Sequence, residues 1–409
     1  MTRLLLMLRT RTYRARAFVH AAERLGIDIT VATEREQPLA AQTPGATVAM
    51  DFADERAVRQ AVGGFARRYP LAGVVGVDDD TTIAAAQAAA ALGLAHNSVD
   101  SVKAARYKDV MRLALSEAGL LSPAFTTVSV HDDPFRVAER TRFPCVLKPL
   151  ALAASRGVIR ADDPSGLVAA FGIIAEILGQ TDLAPSDPGR TQILIEDFVP
   201  GREVALEGLL QDGTLTTLAL FDKPDPLDGP YFEETLYVTP SRLPAAVQTQ
   251  VARTAEQAAL ALGLRTGPLH AELRVNERGA WVIEVAARSI GGLCSRTLRF
   301  GGGLSLEELI LRQAAGLPLD HVERERRPAG VMMIPIPAAG VLREVRGLDQ
   351  ARATTGIEDI DITIPCGEWV EPLPRATRYL GFIFARGDTP EAVEASLRGA
   401  HSALSFDIR

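Results

Sequence analysis

At 409 residues the chain has room for roughly two to four domains with cores of their own. It is 47% hydrophobic and 23% charged, with a formal net charge of −7 and a pI near 5.6. It therefore reads as globular and lacks the overall basic footprint of a nucleic-acid groove or an anionic-membrane surface. Three scattered cysteines, Cys145, Cys294 and Cys366, form no Cys-x-x-Cys. That argues against a disulfide scaffold or structural zinc and for a reducing, cytoplasmic setting.

The N-terminal LLLML is too short for a signal sequence and runs straight into RTRTYRAR, so it reads as a buried strand, Leu4 to Leu8. No run approaches a membrane span. A helix from Ala15 to Leu25 stops at Gly26, and a strand follows from Ile27 to Ala32. A helix from Asp54 to Arg68, a strand from Gly73 to Val77 and an Ala-rich helix from Thr82 to Leu92, stopped by Gly93, complete a parallel α/β unit over residues 1–100. It resembles a Rossmann-like domain. RTRTYR stands after its first strand where a dinucleotide site needs GxGxxG, which counts against a dehydrogenase.

Residues 99–120 read as one helix with a glycine stop. A mixed region follows to about residue 320. It holds the strand FPCVLKP, a helix ending at Gly179 and a polar insert, QTDLAPSDPGR, expected to be mobile. The strand QILIEDF, a hairpin with Asp-Gly at its turn and a helix over 245–264 come next. A hairpin over 270–285 and an amphipathic helix over 304–319 close the region. HVERERRP marks a boundary, and the tail reads as strands VMMIPI, IDITI and YLGFIFAR plus a helix over 389–404.

The hairpin HAELRVNERGAWVIEVAAR poses a physical question. NERG is turn chemistry. Pairing Val275 with Trp281 sets Leu273 against Ile283, Ala271 against Val285 and Glu272 against Glu284. Like charges directly opposite destabilise a sheet. A shared proton or a cation would offset that cost, and a longer loop would separate the two. Mg²⁺ fits best, because it takes oxygen ligands and binds through one or two carboxylates plus substrate phosphates. A phosphate site is then needed elsewhere. FPCVLKPLALAASRGV supplies one: an apolar strand ends on Lys148, and a loop of small residues with Ser155 and Gly157 follows. Lys108 alone reads as a surface helix lysine, and Glu196 to Glu203 as an acidic loop around Pro200-Gly201.

Taken in order, these pieces resemble the ATP-grasp superfamily over residues 100 to 315. The fold class this implies is a multi-domain α/β and α+β protein. Residues 1–100 would form a Rossmann-like domain and 101–320 an ATP-grasp core of two α+β subdomains, the lid spanning about 122–194. Residues 321–409 would form a small β-rich C-terminal domain. The resemblance implies that Lys108 and Lys148 hold ATP phosphates, with the loop of Ser155 and Gly157 closing over them. Glu196 and Val199 would edge the adenine pocket, Asp197 and Val199 would offer backbone contacts, and Glu203 would bond the ribose. Glu272 and Glu284 would hold Mg²⁺, with Mn²⁺ as a substitute. Two departures stand out. ALAAS replaces a glycine-rich loop, and alanine takes φ > 0 less freely. Ala286 stands where many members place a metal-binding Asn.

His-x-Glu followed by Glu-x-Ala-x-Arg is similar to the L-amino acid ligase branch, which makes dipeptides. That places Arg288 at a reacting acyl-phosphate; the plain alternative is a structural ion pair with Glu284. In the long Pro-rich loop after Phe221, Lys223 is in reach of the γ-phosphate, and Glu234 is either similar to the residue that recognises an α-ammonium group or a surface carboxylate. His270 is either a substrate contact or a structural histidine. Arg296 and Arg299 are candidates to face the cleft. Asp78 to Thr81 reads as capping, with Asp79 as a further candidate, and Arg9 to Tyr13 as a solvated loop or an anion site. Cys294 reads as a buried thiol. The implied activity joins a small-molecule carboxylate to an amine, both from the amino-acid class, in a homodimer without nucleic-acid or membrane partners. The alternatives are a carboxylase of the biotin-carboxylase or purine-biosynthetic kind and a non-catalytic ATP-binding regulator.

Overall fold

A computed structural model describes residues 2–10, 12–37 and 42–409; Arg11, in the stretch Arg9 to Tyr13, lies outside the described residues. The first layer is a parallel sheet in the order Thr47–Ala49, Asp28–Thr33, Arg3–Met7, Gly73–Gly76. Its central strand is covered on both faces, which is why LLLM is apolar without alternation: Leu4, Leu5, Leu6 and Met7 are fully buried. The helix Ala15–Leu25 ends as expected on Gly26, in the left-handed region at φ 64°. Phe18 on this helix shares one core with Leu306, Leu309 and Ile310 from the helix Leu306–Ala314, so this layer is packed firmly on the next.

Residues 99–120 do not form the single helix expected. Tyr107 is extended, at φ −96° and ψ 115°, and divides Val99–Arg106 from Lys108–Glu117. The cause is tertiary: the Lys108 N–H bonds Leu150 O at 3.2 Å, and Arg112 is drawn wholly into the interior. The break sets Lys108 at the first position of the second helix.

The segment expected to form the lid is an antiparallel sheet in the order Phe125–Ser129, Gln192–Asp197, Cys145–Pro149, Ile159–Ala161. The helices Pro134–Glu139 and Pro164–Gly179 cover one face, with Leu167, Phe171 and Ile174 in its core. The polar insert before residue 191 meets its surroundings at two points. Asp182 pairs with Arg9 at 2.5 Å, and the Tyr107 hydroxyl donates to Asp187 at 3.1 Å.

An eight-stranded sheet forms the floor. Its order is Gly279–Ala286, Gly267–Asn276, Arg202–Gln211, Thr214–Asp222, Leu236–Thr239, Ala329–Ile334, Gly381–Arg386, Ile357–Ile362. Asp212 and Gly213 both take positive φ, 52° and 89°, as a tight two-residue hairpin turn requires. The sheet runs without interruption past residue 320, because Leu236–Thr239 pairs antiparallel with Ala329–Ile334. The helix Pro390–Ser402 covers this end, and a small sheet of Gly340–Arg346, Trp369–Val370 and Ser405–Ile408 completes the fold. No helix of the described residues is long and apolar enough to cross a membrane.

The glutamate hairpin follows the expected register only in part. Glu272 pairs with Glu284 and Ala271 with Val285, yet Leu273 pairs with Val282 and Val275 with Ala280. A bulge at this point makes Ile283 the extra residue. Val282, not Ile283, therefore joins Leu273 in the core, and Ile283 turns to the cleft.

Candidate active site

Between the lid and the floor lies a narrow cleft. Ten of the residues singled out in the sequence line it: Lys108, Lys148, Ser155, Glu196, Asp197, Val199, Glu203, Glu234, Glu272 and Glu284. Gly157, Lys223, His270 and Arg288 stand behind or beside it.

One wall is cationic. Lys108 is 3% exposed, and its Nζ donates to Leu152 O at 2.9 Å and to Glu284 at 3.3 Å. Lys148, at the end of its strand, contacts Glu196 Oε2 at 2.6 Å. The other Glu196 oxygen takes Arg112 Nε at 2.5 Å. Burial lowers the Lys148 pKa, and Arg112 and Lys108 push the same way against Glu196. Two buried cations, Lys148 and Arg112, thus share one carboxylate with Lys108 close by, an arrangement that favours an incoming anion. Glu196 serves as their counter-charge.

The phosphate loop bends tightly. Ala154 and Ser155 do adopt positive φ, 56° and 54°, despite their side chains. Gly157 follows at φ 73°, where an added Cβ would come within 2.9 Å of Pro149, and its N–H donates to Pro374 O at 2.9 Å.

The opposite wall is acidic, and it resolves the hairpin's repulsion with protein cations. Glu284 is held by Lys108. Glu272 lies 3.1 Å from Lys223 Nζ. Lys223 also contacts Glu203 at 2.8 Å and hydrogen-bonds Glu234, so its ammonium is ringed by three carboxylates. Oxygens of Glu203, Glu234 and Glu272 lie within 4.8 Å of one another. Burial raises the Glu234 pKa to about 7; Lys223 opposes this and Glu272 adds to it. Glu272 is held well below its ordinary value, because Lys223 and His270 outweigh its burial. His270 joins Glu207 (Nδ1, 3.2 Å) to Glu272 (Nε2, 3.5 Å). As hard oxygen donors opposed across one ladder beside the cationic wall, Glu272 and Glu284 fit a divalent cation; Ala286 offers it nothing.

Arg288 is anchored by Asp79 rather than by Glu284. Its Nε and Nη2 reach Asp79 Oδ2 at 2.8 Å each, and Nη1 donates to Ser289 O at 2.9 Å. Asp79 lies well below the usual carboxylate range, since Arg288 and then Arg106 overcome its burial. Arg14 grips the same segment through Ser289 Oγ at 2.5 Å. Other expectations are corrected. Arg296 and Arg299 turn away, to Asp359, Asp361 and Glu358. The Thr10 N–H and hydroxyl are taken by Glu34. Cys294, by contrast, is the buried thiol expected, and burial pushes it far up.

Sequence reasoning missed Arg112, Glu207 and Arg274. Glu207 is fully buried and accepts from Ile290 N–H at 2.9 Å, tying the Arg288 segment to His270. Arg274, 3% exposed, donates to Glu203 at 2.8 Å and to Val199 O at 2.8 Å. The available signal was a lone charge inside an apolar strand or helix face: the interior admits one only when it is paired.

Comparison with known proteins places this geometry. An ATP-grasp N-terminal domain family matches residues 19–96, an ATP-grasp domain family residues 141–297, and the L-amino acid ligase C-terminal domain 2 family residues 332–409. Two of these three families are ATP-grasp domains, and the chain is similar to them over the residues matched. The likeness extends to L-amino acid ligases. The crystal structure of L-amino acid ligase from Bacillus licheniformis matches with a TM-score of 0.80 and 25% identity, over 100% of this chain and 99% of that one. Alanine–anticapsin ligase of Bacillus subtilis is 29% identical over 280 residues, 62% of this chain and 58% of that protein. Dapdiamide A synthase of Enterobacter agglomerans is 29% identical over 199 residues, 48% and 45% of the two chains. The chain spans only 50 to 58% of the length of the alanine–anticapsin ligases it matches. N5-carboxyaminoimidazole ribonucleotide synthetase from Thermotoga maritima shares the fold over the whole of both chains, with a TM-score of 0.71 at 16% identity.

Proposed function

We propose that the chain is an ATP- and Mg²⁺-dependent carboxylate–amine ligase acting on amino acids, through an acyl-phosphate. The observation that carries this reading is the opposition of a buried Lys108–Lys148 wall to the Glu272–Glu284 pair across one cleft, with Arg288 held beside it by Asp79. Lys108 and Lys148 hold the phosphates of ATP. Glu272 and Glu284 hold Mg²⁺, which supplies charge neutralisation to the phosphoryl group when bound.

In the first step a substrate carboxylate oxygen bonds to the γ-phosphorus, and the bond to the ADP oxygen breaks. In the second an amine bonds to the acyl carbon, phosphate leaves, and the nitrogen gives up a proton. The lysines neutralise charge as it moves toward ADP. Arg288 steadies the oxyanion of the second step, a contact of a kind worth roughly 3 kcal/mol. Glu234, which lines the cleft, receives an ammonium group. The carboxylase or purine-biosynthetic alternative draws on fold neighbours and on a more distant sequence likeness.

The test is phosphate release from ATP and Mg²⁺ with pooled L-amino acids, followed by mass spectrometry. Release together with a new amide mass supports the ligase. Release that needs bicarbonate in place of an amine overturns it in favour of a carboxylase, and nucleotide binding without release under any pool favours a regulator.

A further inference from the structure

The loop from Lys223 to Thr235 is attached to both halves of the cleft. On the floor side, Arg274 hydrogen-bonds Leu227 O while its other nitrogens hold Val199 O and Glu203. Its guanidinium lies 5.2 Å from the centre of the Phe198 ring and 5.5 Å from that of Phe232. On the lid side, the Arg160 N–H donates to Pro230 O at 2.9 Å and its Nη1 to Asp228 O at 2.7 Å. Ile159 and Tyr231 form an antiparallel bridge. Ile159–Ala161 is the edge strand of the lid sheet, so the loop acts as one further residue of that sheet. Arg160 also stacks on Phe198, 4.2 Å from the ring centre. Three residues beyond Tyr231, the same loop delivers Glu234 to the carboxylate ring around Lys223.

We infer that Arg160 and Arg274 are positioning residues that couple nucleotide binding to placement of the Glu234 loop. Arg274 joins the loop to the segment that edges the base pocket, and Arg160 joins it to the lid. A lid closed on nucleotide holds the loop in the arrangement described here; an open lid pulls Asp228 and Pro230 away from the floor. Bound nucleotide therefore tightens the subsite to which Glu234 belongs. By reciprocity, a ligand in that subsite tightens nucleotide binding by the same factor. This rests on the nucleotide assignment above and goes beyond it.

The test is chymotrypsin digestion of the full chain with and without AMP-PNP and Mg²⁺, with nucleotide binding measured separately by calorimetry. Tyr231, 39% exposed, is the reporting site, and Trp369, 59% exposed and in the C-terminal region, is the internal control. In the wild type, AMP-PNP should slow cleavage at Tyr231–Phe232 by about tenfold and leave Trp369 unchanged, a factor within the usual range of coupling between sites. In Arg160→Ala, nucleotide should still bind, with protection cut to about threefold or less. Arg274→Gln should lose protection even at saturating nucleotide. Full protection in Arg160→Ala, or nucleotide binding without protection in the wild type, overturns the coupling. Failure of AMP-PNP to bind the wild type overturns the nucleotide assignment itself, and the coupling with it.

Discussion

Glu272 and Glu284 face each other across one rung of the floor sheet, and each leans on a different lysine. A dication that replaces a lysine at each carboxylate frees that lysine for phosphate. Glu284→Gln removes half of this arrangement. Turnover should fall by more than the roughly 10- to 100-fold that altering a metal site's outer partners costs, while calorimetry finds AMP-PNP still bound without Mg²⁺. Retained turnover would remove Glu284 from the metal site. His270 makes a different prediction. Burial opposes its imidazolium, but the hydrogen bonds to Glu207 and Glu272 prevail and lift its pKa from 6.5 to about 9. A group raised on folding contributes stability that is fully present below pH 6.5 and lost as pH climbs through 9. At about 1.4 kcal/mol per unit, that interval is worth on the order of 3 kcal/mol. Thermal melts in chelator should decline across this window, and His270→Asn should flatten the decline. An unchanged slope would mean that other groups set it.

The phosphate loop shows how backbone conformation governs an element. At φ 73° and with Pro149 in the way, Gly157→Ala should cost about 1–2 kcal/mol of loop closure. The dissociation constant for ATP should rise about tenfold with little change in melting temperature; an unchanged constant would mean that the loop does not close on nucleotide. Elements of this kind were legible in the sequence where their signals are local. The run LLLM, the Gly26 stop, the Asp212-Gly213 turn and the lysine ending FPCVLK each depend on neighbours in the chain. The break at Tyr107 was not legible, because Leu150 O and the pocket for Arg112 create it from afar. The bulge at Ile283 was hidden for a similar reason: WVIEV alternates acceptably in either phase, and only packing against Leu273 selects Val282. The short strand Thr47–Ala49 carries too little pattern to read. At the site, the opposed glutamates and the two lysines could be read. Asp79 as the anchor of Arg288 could not, since 209 residues separate them.

Across the whole molecule, one sheet joins the ATP-grasp core to the C-terminal region. Leu236 and Val238 on one side and Met332 and Ile334 on the other belong to a single core. A fragment ending at residue 320 would leave Leu236–Thr239 as a bare apolar edge. It should aggregate on expression, and the full chain should melt through these two parts together; a soluble, folded fragment would refute this. The lid, by contrast, is fastened to its surroundings partly by pairs that water reaches. Arg9 meets an Asp182 that is 82% exposed, and Arg375 meets a Glu176 that is 64% exposed. Exposed pairs of this kind hold by about 0.2–1 kcal/mol each, and salt screens them. The doorway to the cleft is therefore latched by ion pairs that rising salt loosens. In stopped-flow mixing with a fluorescent nucleotide, the entry rate should quicken with added salt wherever opening is the slow step, although attraction between opposite charges alone would make it slower.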